Sequence, residues 1–356
     1  MTKLSKLQQE IIENKSDVIF VEAAAASGKT ALIVEKIKKE LATKKGMVVA
    51  FTFTNAAAEE MYERVGKVED SQLFIGTIHS YSVRLLLSYG IGEAIQYCES
   101  ERFDKLFQLV KQNPECIKPV HCLICDEMQD CNDNQFEFIF DMINAKRYFC
   151  CYDRRQSIYR WNGAHPEYIT KYIEKLNATV LTLNENYRNA TSILDYAKAI
   201  IRTAGADYQD TSMPMRGIKG KVVADLEYNP SAIAHTFAQM KDGFGDWFIL
   251  TRTNSQIDEI AFALKRCGVP YDTFKRAQLD NKELNQKMKE NTIKVLTIHT
   301  AKGLEANNVI VIGAKFFNLE ERCISYVAAT RARNNLYWTK MPYRMQPTQK
   351  TINWER

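Results

Sequence analysis

Ala23-Ala24-Ala25-Ala26-Ser27-Gly28-Lys29-Thr30 follows a short apolar run at residues 18–22 and opens a helical pattern. A strand, a turn of small residues and a helix, in that order, aim backbone N–H groups at an anion held at the helix start. Lys29 would then reach the β- and γ-phosphates of a nucleotide, and the Thr30 hydroxyl would ligate Mg²⁺. Further on, Leu123-Ile124-Cys125-Asp126-Glu127-Met128-Gln129-Asp130 ends a second apolar run in two carboxylates. Asp126 is placed to hold a Mg²⁺ shell, and Glu127 to orient or deprotonate an attacking water. Taken singly, the first segment favours nucleotide binding over a turn with a surface lysine, and the second has a pair of solvated turn acids as its plain alternative. Together they read as a nucleotide-hydrolysing site.

Four of the nine cysteines, Cys116, Cys122, Cys125 and Cys131, crowd into a short stretch, and Cys-x-x-Cys is a metal-ligand spacing. However, His121-Cys122-Leu123-Ile124-Cys125 has the pattern of a buried strand, in which positions i and i+3 point to opposite faces. Buried free thiols are therefore the expectation.

These residues need a scaffold, and the hydrophobic pattern supplies one. Strands are expected at 18–22, 48–53, 123–125, 148–151, 180–183, 222–226, 247–251, 293–298 and 309–312, and helices at 29–42, 55–65, 99–112, 192–203, 255–267 and 320–333. Alternation of this kind implies parallel sheets covered by helices, an α/β architecture. The chain is 356 residues long and 46% hydrophobic, enough for two such domains, with the boundary expected near Asn177, before Val180. Residues 275–291 read as an exposed insert, and the basic stretch 340–356 as loosely ordered. No apolar run is long enough to span a membrane, and the first residues lack the apolar core of a signal peptide, so an intracellular protein is expected. The net charge of +5 is compatible with a nucleic-acid partner without requiring one.

With the two phosphate-handling segments placed, the chain resembles the UvrD/Rep-type superfamily 1 helicases, motor ATPases built from two RecA-like parallel-sheet P-loop cores. Gln8 stands where that family has its adenine-reading glutamine. Thr52-Phe53-Thr54-Asn55 and Gly76-Thr77-Ile78-His79 are similar to its motifs Ia and Ib. Gln156-Ser157-Ile158-Tyr159-Arg160-Trp161 resembles motif III, and Asn186-Tyr187-Arg188 motif IV. Thr297-Ile298-His299-Thr300-Ala301-Lys302-Gly303-Leu304-Glu305 is similar to motif V, and Tyr326-Val327-Ala328-Ala329-Thr330-Arg331 to motif VI.

The resemblance implies cores at 1–176 and 177–356, with ATP and Mg²⁺ bound at their interface. The nucleotide would be held by Gln8, Ala26, Ser27, Gly28, Lys29, Thr30, Tyr187 and Glu305, with Tyr187 on the adenine and Glu305 on the ribose. Thr30 and Asp126 would hold the metal. Lys29, Asp126, Glu127 and Gln156 would serve the chemistry, and Arg188 and Arg331 would be arginine fingers, for which a permanent planar charge is suited. Phe53, Tyr159 and Trp161 would stack on DNA bases. Asn55, His79, Arg252, Thr297 and His299 would make polar contacts to the strand.

The function implied is an ATP-dependent 3′→5′ translocase or helicase on single-stranded DNA and 3′-tailed duplexes. A nucleotide-dependent DNA-binding or recruitment module with negligible turnover is the alternative. The chain departs from the family at Ala24 and Ala26, where glycines are usual, and at Tyr152, Arg154 and Arg155 in the usually acidic segment before Gln156. Arg154, Arg155 and Arg160 are expected to restore positive charge near the strand. The family's large insert subdomains are reduced to residues 89–120 and 272–292, a minimal form in which a partner or an oligomer would supply duplex grip. Tyr343 would be the tip of a strand-separating hairpin.

Overall fold

The computed structural model describes residues 4–275 and 286–340. The chain forms two compact units. The first ends at Tyr187 and takes in Asp210–Met215; the second holds Arg188–Gln209 and continues from Arg216.

In the first unit β1 (Val18–Ala23), β2 (Val48–Phe51), β3 (Leu73–Gly76), β4 (Val120–Cys125), β5 (Ala145–Tyr152) and β6 (Thr179–Leu183) form one six-stranded sheet. Its order is β3-β2-β4-β5-β1-β6, with every neighbour parallel. All residues of β2, β3 and β4 are buried, as an apolar run covered on both faces requires. The covering helices are α1 (Lys6–Glu13), α2 (Lys29–Ala42), α3 (Asn55–Val65), α4 (Ile78–Leu87), α5 (Glu93–Glu99), α6 (Phe103–Gln112), α7 (Asp133–Glu137) and α8 (Glu167–Lys175). Two short parallel strands, β7 (Glu185–Asn186) and β8 (Met213–Pro214), pair separately, which joins the 210–215 segment to this unit.

The second unit is a six-stranded parallel sheet of β9 (Lys221–Glu227), β10 (Trp247–Thr251), β11 (Tyr271–Phe274), β12 (Ile293–Thr297), β13 (Ala306–Ile312) and β14 (Ala332–Lys340). Its order is β11-β12-β10-β13-β14-β9. Its helices are α9 (Thr191–Ile201), α10 (Pro230–Ala238), α11 (Asn254–Arg266) and α12 (Leu319–Ala329). Two parallel-sheet α/β bodies are what the sequence led us to expect.

The boundaries differ from the expectation. A division after residue 176 would strand β6, which pairs with β1 along its whole length, so the first unit runs on to Tyr187. The single helix expected at 99–112 is broken at Glu101, where φ is +53, into α5 and α6. Both pack into the core that holds Phe51 and Tyr81, through Ala94, Leu106, Phe107 and Val110. Residues 89–120 are therefore part of the first unit's body. The second interval begins with β11, an edge strand on β12, rather than with an insert. The rest of the expected exposed insert includes residues 276–285, which lie outside the described residues, as do 341–356 and with them Tyr343.

Cys122 and Cys125 fall into core clusters on opposite faces of the first sheet, and all nine cysteines are free thiols. Burial pushes the Cys122 thiol up to about 12, so it stays protonated. Among the described residues no helix is long and apolar enough to cross a membrane.

Candidate functional site

The loop after β1 is held by donors from three directions. Gln8 Nε2 donates to Ser27 O at 3.1 Å, Asn186 Nδ2 to Ala25 O at 3.0 Å, and Tyr187 N to Ala26 O at 3.0 Å. Because a trans peptide sets its C=O and N–H on opposite sides, the N–H of Ala26 points away from Asn186 and that of Gly28 away from Gln8. Two residues take left-handed conformations, Ala26 at φ +57 and Gly28 at φ +81. A side chain at Gly28 would be strained twice over, since its Cβ would lie 2.7 Å from Gln8 Nε2. Gln8 is fixed in turn by a capping box with Ser5 at the start of α1. Tyr187 is 42% exposed beside this loop. The sequence reading missed Asn186 as a loop support.

Lys29 begins α2 and faces the end of β4. Its Nζ lies 3.0 Å from Glu127 Oε1. Burial alone would push the ammonium down, but Glu127, Asp126 and Asp153 outweigh it and hold the group above its ordinary value. Glu127 has φ +51, a left-handed turn that follows β4 directly, and its N–H donates to Asp126 Oδ1 at 2.9 Å. Thr30 is in the first turn of α2, partly exposed. Among the described residues no group of three or more His, Cys, Asp or Glu could cage a metal. One carboxylate and one hydroxyl suit Mg²⁺, which takes few protein ligands and completes its shell with water and phosphate oxygens. Asp126 and Thr30 fit that pattern.

A buried hydrogen-bond chain continues from Glu127. Gln129 Nε2 donates to Glu127 Oε2, and Gln129 Oε1 accepts from Asp153 N at 2.9 Å. Asp153 Oδ2 then accepts from Gln156 Nε2 at 2.7 Å, and its Oδ1 from Arg155 Nε at 2.6 Å. Gln129, Asp153, Arg155 and Gln156 are all buried. Gln129 was in plain view in the Asp-Glu-x-Gln string, but the sequence does not reveal which carboxylate it joins to which loop.

Of the three arginines expected to restore positive charge near the strand, Arg155 is spent in the interior, while Arg154 and Arg160 are partly exposed. Arg155 is 3% exposed and paired with Asp153 and with Asp210, the latter at 3.3 Å. Arg160 is paired with Glu167, and Arg154 donates to Thr170.

Three of the expected base-stacking residues come together. Phe53 and Tyr159 stack at 5.0 Å between centroids with 21° between planes, and Trp161 lies 6.4 Å from Tyr159. Phe53 and Trp161 are exposed, whereas Tyr159 is 9% exposed and backs the other two. Asn55 is exposed in the first turn of α3. His79 is instead stacked on Phe103 of α6 at 3.7 Å, and burial lowers its pKa to about 4, which keeps it neutral.

The second unit gathers its own candidates around Thr330. Arg188 donates to Thr330 O at 3.3 Å and pairs with Glu305; Arg331 Nη2 donates to Thr330 Oγ1 at 3.1 Å. Asn189, which the sequence reading passed over, donates to both Thr330 O and Ala332 O. Arg331 is 2% exposed and also donates to the carbonyls of Val327 and Leu304. Glu305 accepts from Arg188 and Arg333; burial pushes its carboxyl up, but the two guanidinium groups prevail and hold it below the usual range. Arg252 makes a two-pronged pair with Glu321, at 2.8 and 3.1 Å. Thr297 Oγ1 meets Thr300 Oγ1 at 2.9 Å, and His299 is half-buried in the same turn.

Comparison with known proteins agrees with this geometry. The UvrD/REP helicase N-terminal domain matches residues 4–113 and 100–177, and the UvrD-like helicase C-terminal domain matches 272–343. DNA helicase II of Haemophilus influenzae is 26% identical, over 72% of this chain and 49% of its own length. The ATP-dependent DNA helicase Rep of Escherichia coli is 25% identical over 76% and 55%. A probable DNA helicase of Mycoplasma pneumoniae is 23% identical over 95% and 83%. Apart from the Mycoplasma protein, the chain spans about half the length of these curated relatives. With two parallel-sheet units, the phosphate loop and the carboxylates after β4 in place, the chain belongs to the UvrD/Rep family of helicases.

Proposed function

We propose that the protein is an ATP-driven motor on single-stranded DNA, moving 3′→5′ as the family resemblance implies, and able to act as a helicase on 3′-tailed duplexes. The observation that carries this reading is the hydrogen-bond chain Lys29–Glu127–Gln129–Asp153–Gln156. Gln156 is three residues from Tyr159 and five from Trp161, so a change at the phosphates has a short covalent path to the stacked aromatics.

In this reading the turned loop and Lys29 hold the phosphates, and Gln8 and Tyr187 hold the adenine. Mg²⁺, held by Thr30 and Asp126, would neutralise phosphate charge. Glu127 must release Lys29 to orient or deprotonate water. Arg188 and Arg331 supply charge to the γ-phosphate, for which both must leave their present acceptors, and Glu305 must part from Arg188 to meet the ribose. Phe53, Tyr159 and Trp161, with Asn55, Arg252, Thr297 and His299, grip the strand; His79 contacts it as a neutral ring.

The test is ATP turnover with and without single-stranded DNA. We expect strong stimulation by the strand and loss of turnover in Lys29→Ala. Tight DNA binding with negligible turnover in the unmodified protein would instead establish a recruitment module.

A further inference from the structure

In the second sheet the loops after β12, β10 and β13 leave adjacent parallel strands at the same end. Thr297 ends β12, and the first two loops carry His299 and Arg252. The third, Gly313-Ala314-Lys315-Phe316-Phe317-Asn318, has no part in the site above.

This loop is fastened at both ends. Gly313 has φ +78, and a Cβ there would lie 2.6 Å from Gln256 Nε2. The same Gln256 side chain accepts from the N–H groups of Arg252 and Thr253 at 2.9 and 3.1 Å. Ser325 Oγ donates to Lys315 O at 2.8 Å, and Asn318 caps α12. Arg252 is anchored to Glu321 in the first turn of that helix. The 313–318 loop thus passes close against the Gln256 side chain that holds the Arg252 loop, and runs into the helix whose first turn pairs with Arg252.

Within it the two phenylalanines differ. Phe316 stacks on the buried Trp338 at 5.8 Å with 20° between planes, and serves as the anchor. Phe317 is 70% exposed, with Lys315 Nζ 5.7 Å from its ring centroid. A π-face for a base and an ammonium for a phosphate, held side by side on a fixed loop, are the two groups by which single strands are gripped.

We propose that Lys315 and Phe317 form an additional single-strand contact of the second unit, with a base stacked on Phe317 and a phosphate on Lys315. The proposal rests on the strand-binding reading above and extends it to a loop outside the family's motifs.

The experiment is fluorescence anisotropy of a labelled oligothymidylate with the full chain at low salt, using Phe317→Ala, Phe317→Leu and Phe317→Tyr, with Trp161→Ala as reference. Both Phe317→Ala and Phe317→Leu should weaken binding about 5- to 100-fold, since leucine keeps apolar bulk but cannot stack, and Phe317→Tyr should restore it. Lys315→Ala should reduce the slope of log affinity against log salt by about 1. Wild-type affinity in Phe317→Leu overturns the stacking role. Wild-type affinity in Phe317→Ala beside a weakened Trp161→Ala removes the proposal and leaves the motor reading standing. No binding of oligothymidylate by the unmodified protein removes both.

Discussion

Ala26 occupies a left-handed conformation at φ +57, where a Cβ costs about 1–2 kcal/mol. The hydrogen bonds from Asn186 and Tyr187 on either side of it hold the loop there nonetheless. Ala26→Gly removes the steric cost, so we expect tighter nucleotide binding, by up to about tenfold if the strain is relieved mainly in the bound loop. Titration with a fluorescent ATP analogue measures it; unchanged or weaker binding would mean that the loop accommodates alanine freely. Glu127→Gln keeps the shape of the side chain but cannot act as a base. It also removes the charge paired with Lys29. Hydrolysis should stop while nucleotide binding is retained or strengthened, and near-normal turnover would end the proposed mechanism. Lys29, Asp126 and Glu127 were legible as positions because an apolar run followed by a turn marks where a strand ends, and Gln156 because its segment resembles a family motif. The pairing of Gln129 with Asp153, and of Arg155 with Asp210, was not. Such contacts join residues far apart in sequence and leave no periodicity, and an arginine in a basic-looking string gives no sign of being buried.

At the scale of elements, α2, β4 and β5 share a buried charge cluster outside the proposed nucleotide site. Glu40 Oε1 accepts from Lys36 at 2.9 Å and Arg147 at 2.7 Å, and Oε2 lies 3.2 Å from His121 Nε2. Burial pushes the Glu40 carboxyl up, but Lys36, Arg147 and His121 together hold it below its ordinary value of 4.5. A depressed carboxylate stabilises the fold fully above that ordinary value, and the contribution is lost as pH falls through the lower, folded-state pKa. Glu40→Ala strands Lys36, which is 2% exposed, and should cost about 3–5 kcal/mol at pH 7. Urea denaturation across pH should show the wild type losing stability below about pH 4.5 and the variant losing less. The apolar strands β1, β2, β4, β5, β10 and β13 were readable because burial on both faces demands hydrophobic runs, and β12 was readable despite its buried Lys294. β14 was hidden by its polar start, Ala332-Arg333-Asn334-Asn335, and was partly absorbed into the expected helix. That helix ends at Ala329, where the Thr330 hydroxyl turns back to the Tyr326 carbonyl.

At the scale of the whole molecule, residues 89–120 are spent on α5 and α6, which turn Ala94, Leu106, Phe107 and Val110 into the first unit's own core. Little there is left over to hold a duplex. We therefore expect strand-stimulated ATPase but poor unwinding as the duplex of a 3′-tailed substrate is lengthened, unless a partner or oligomer supplies grip. Processive unwinding by a proven monomer would refute this. The first unit is also not a continuous stretch of chain. Arg155 is paired with Asp210, 55 residues later, after the chain has already contributed to the second unit. At roughly 5–20 residues per second, a ribosome finishes β6 on the order of seconds before it delivers Asp210. In that interval the nascent first unit holds a buried guanidinium still waiting for one of its carboxylates, next to Gln156. Asp210→Ala makes the wait permanent, and should cost about 1–3 kcal/mol in denaturant melts followed through Trp161. The last part of the Asp153–Gln156 segment to be secured is thus set by the timetable of synthesis, after every strand of the sheet beneath it has been made.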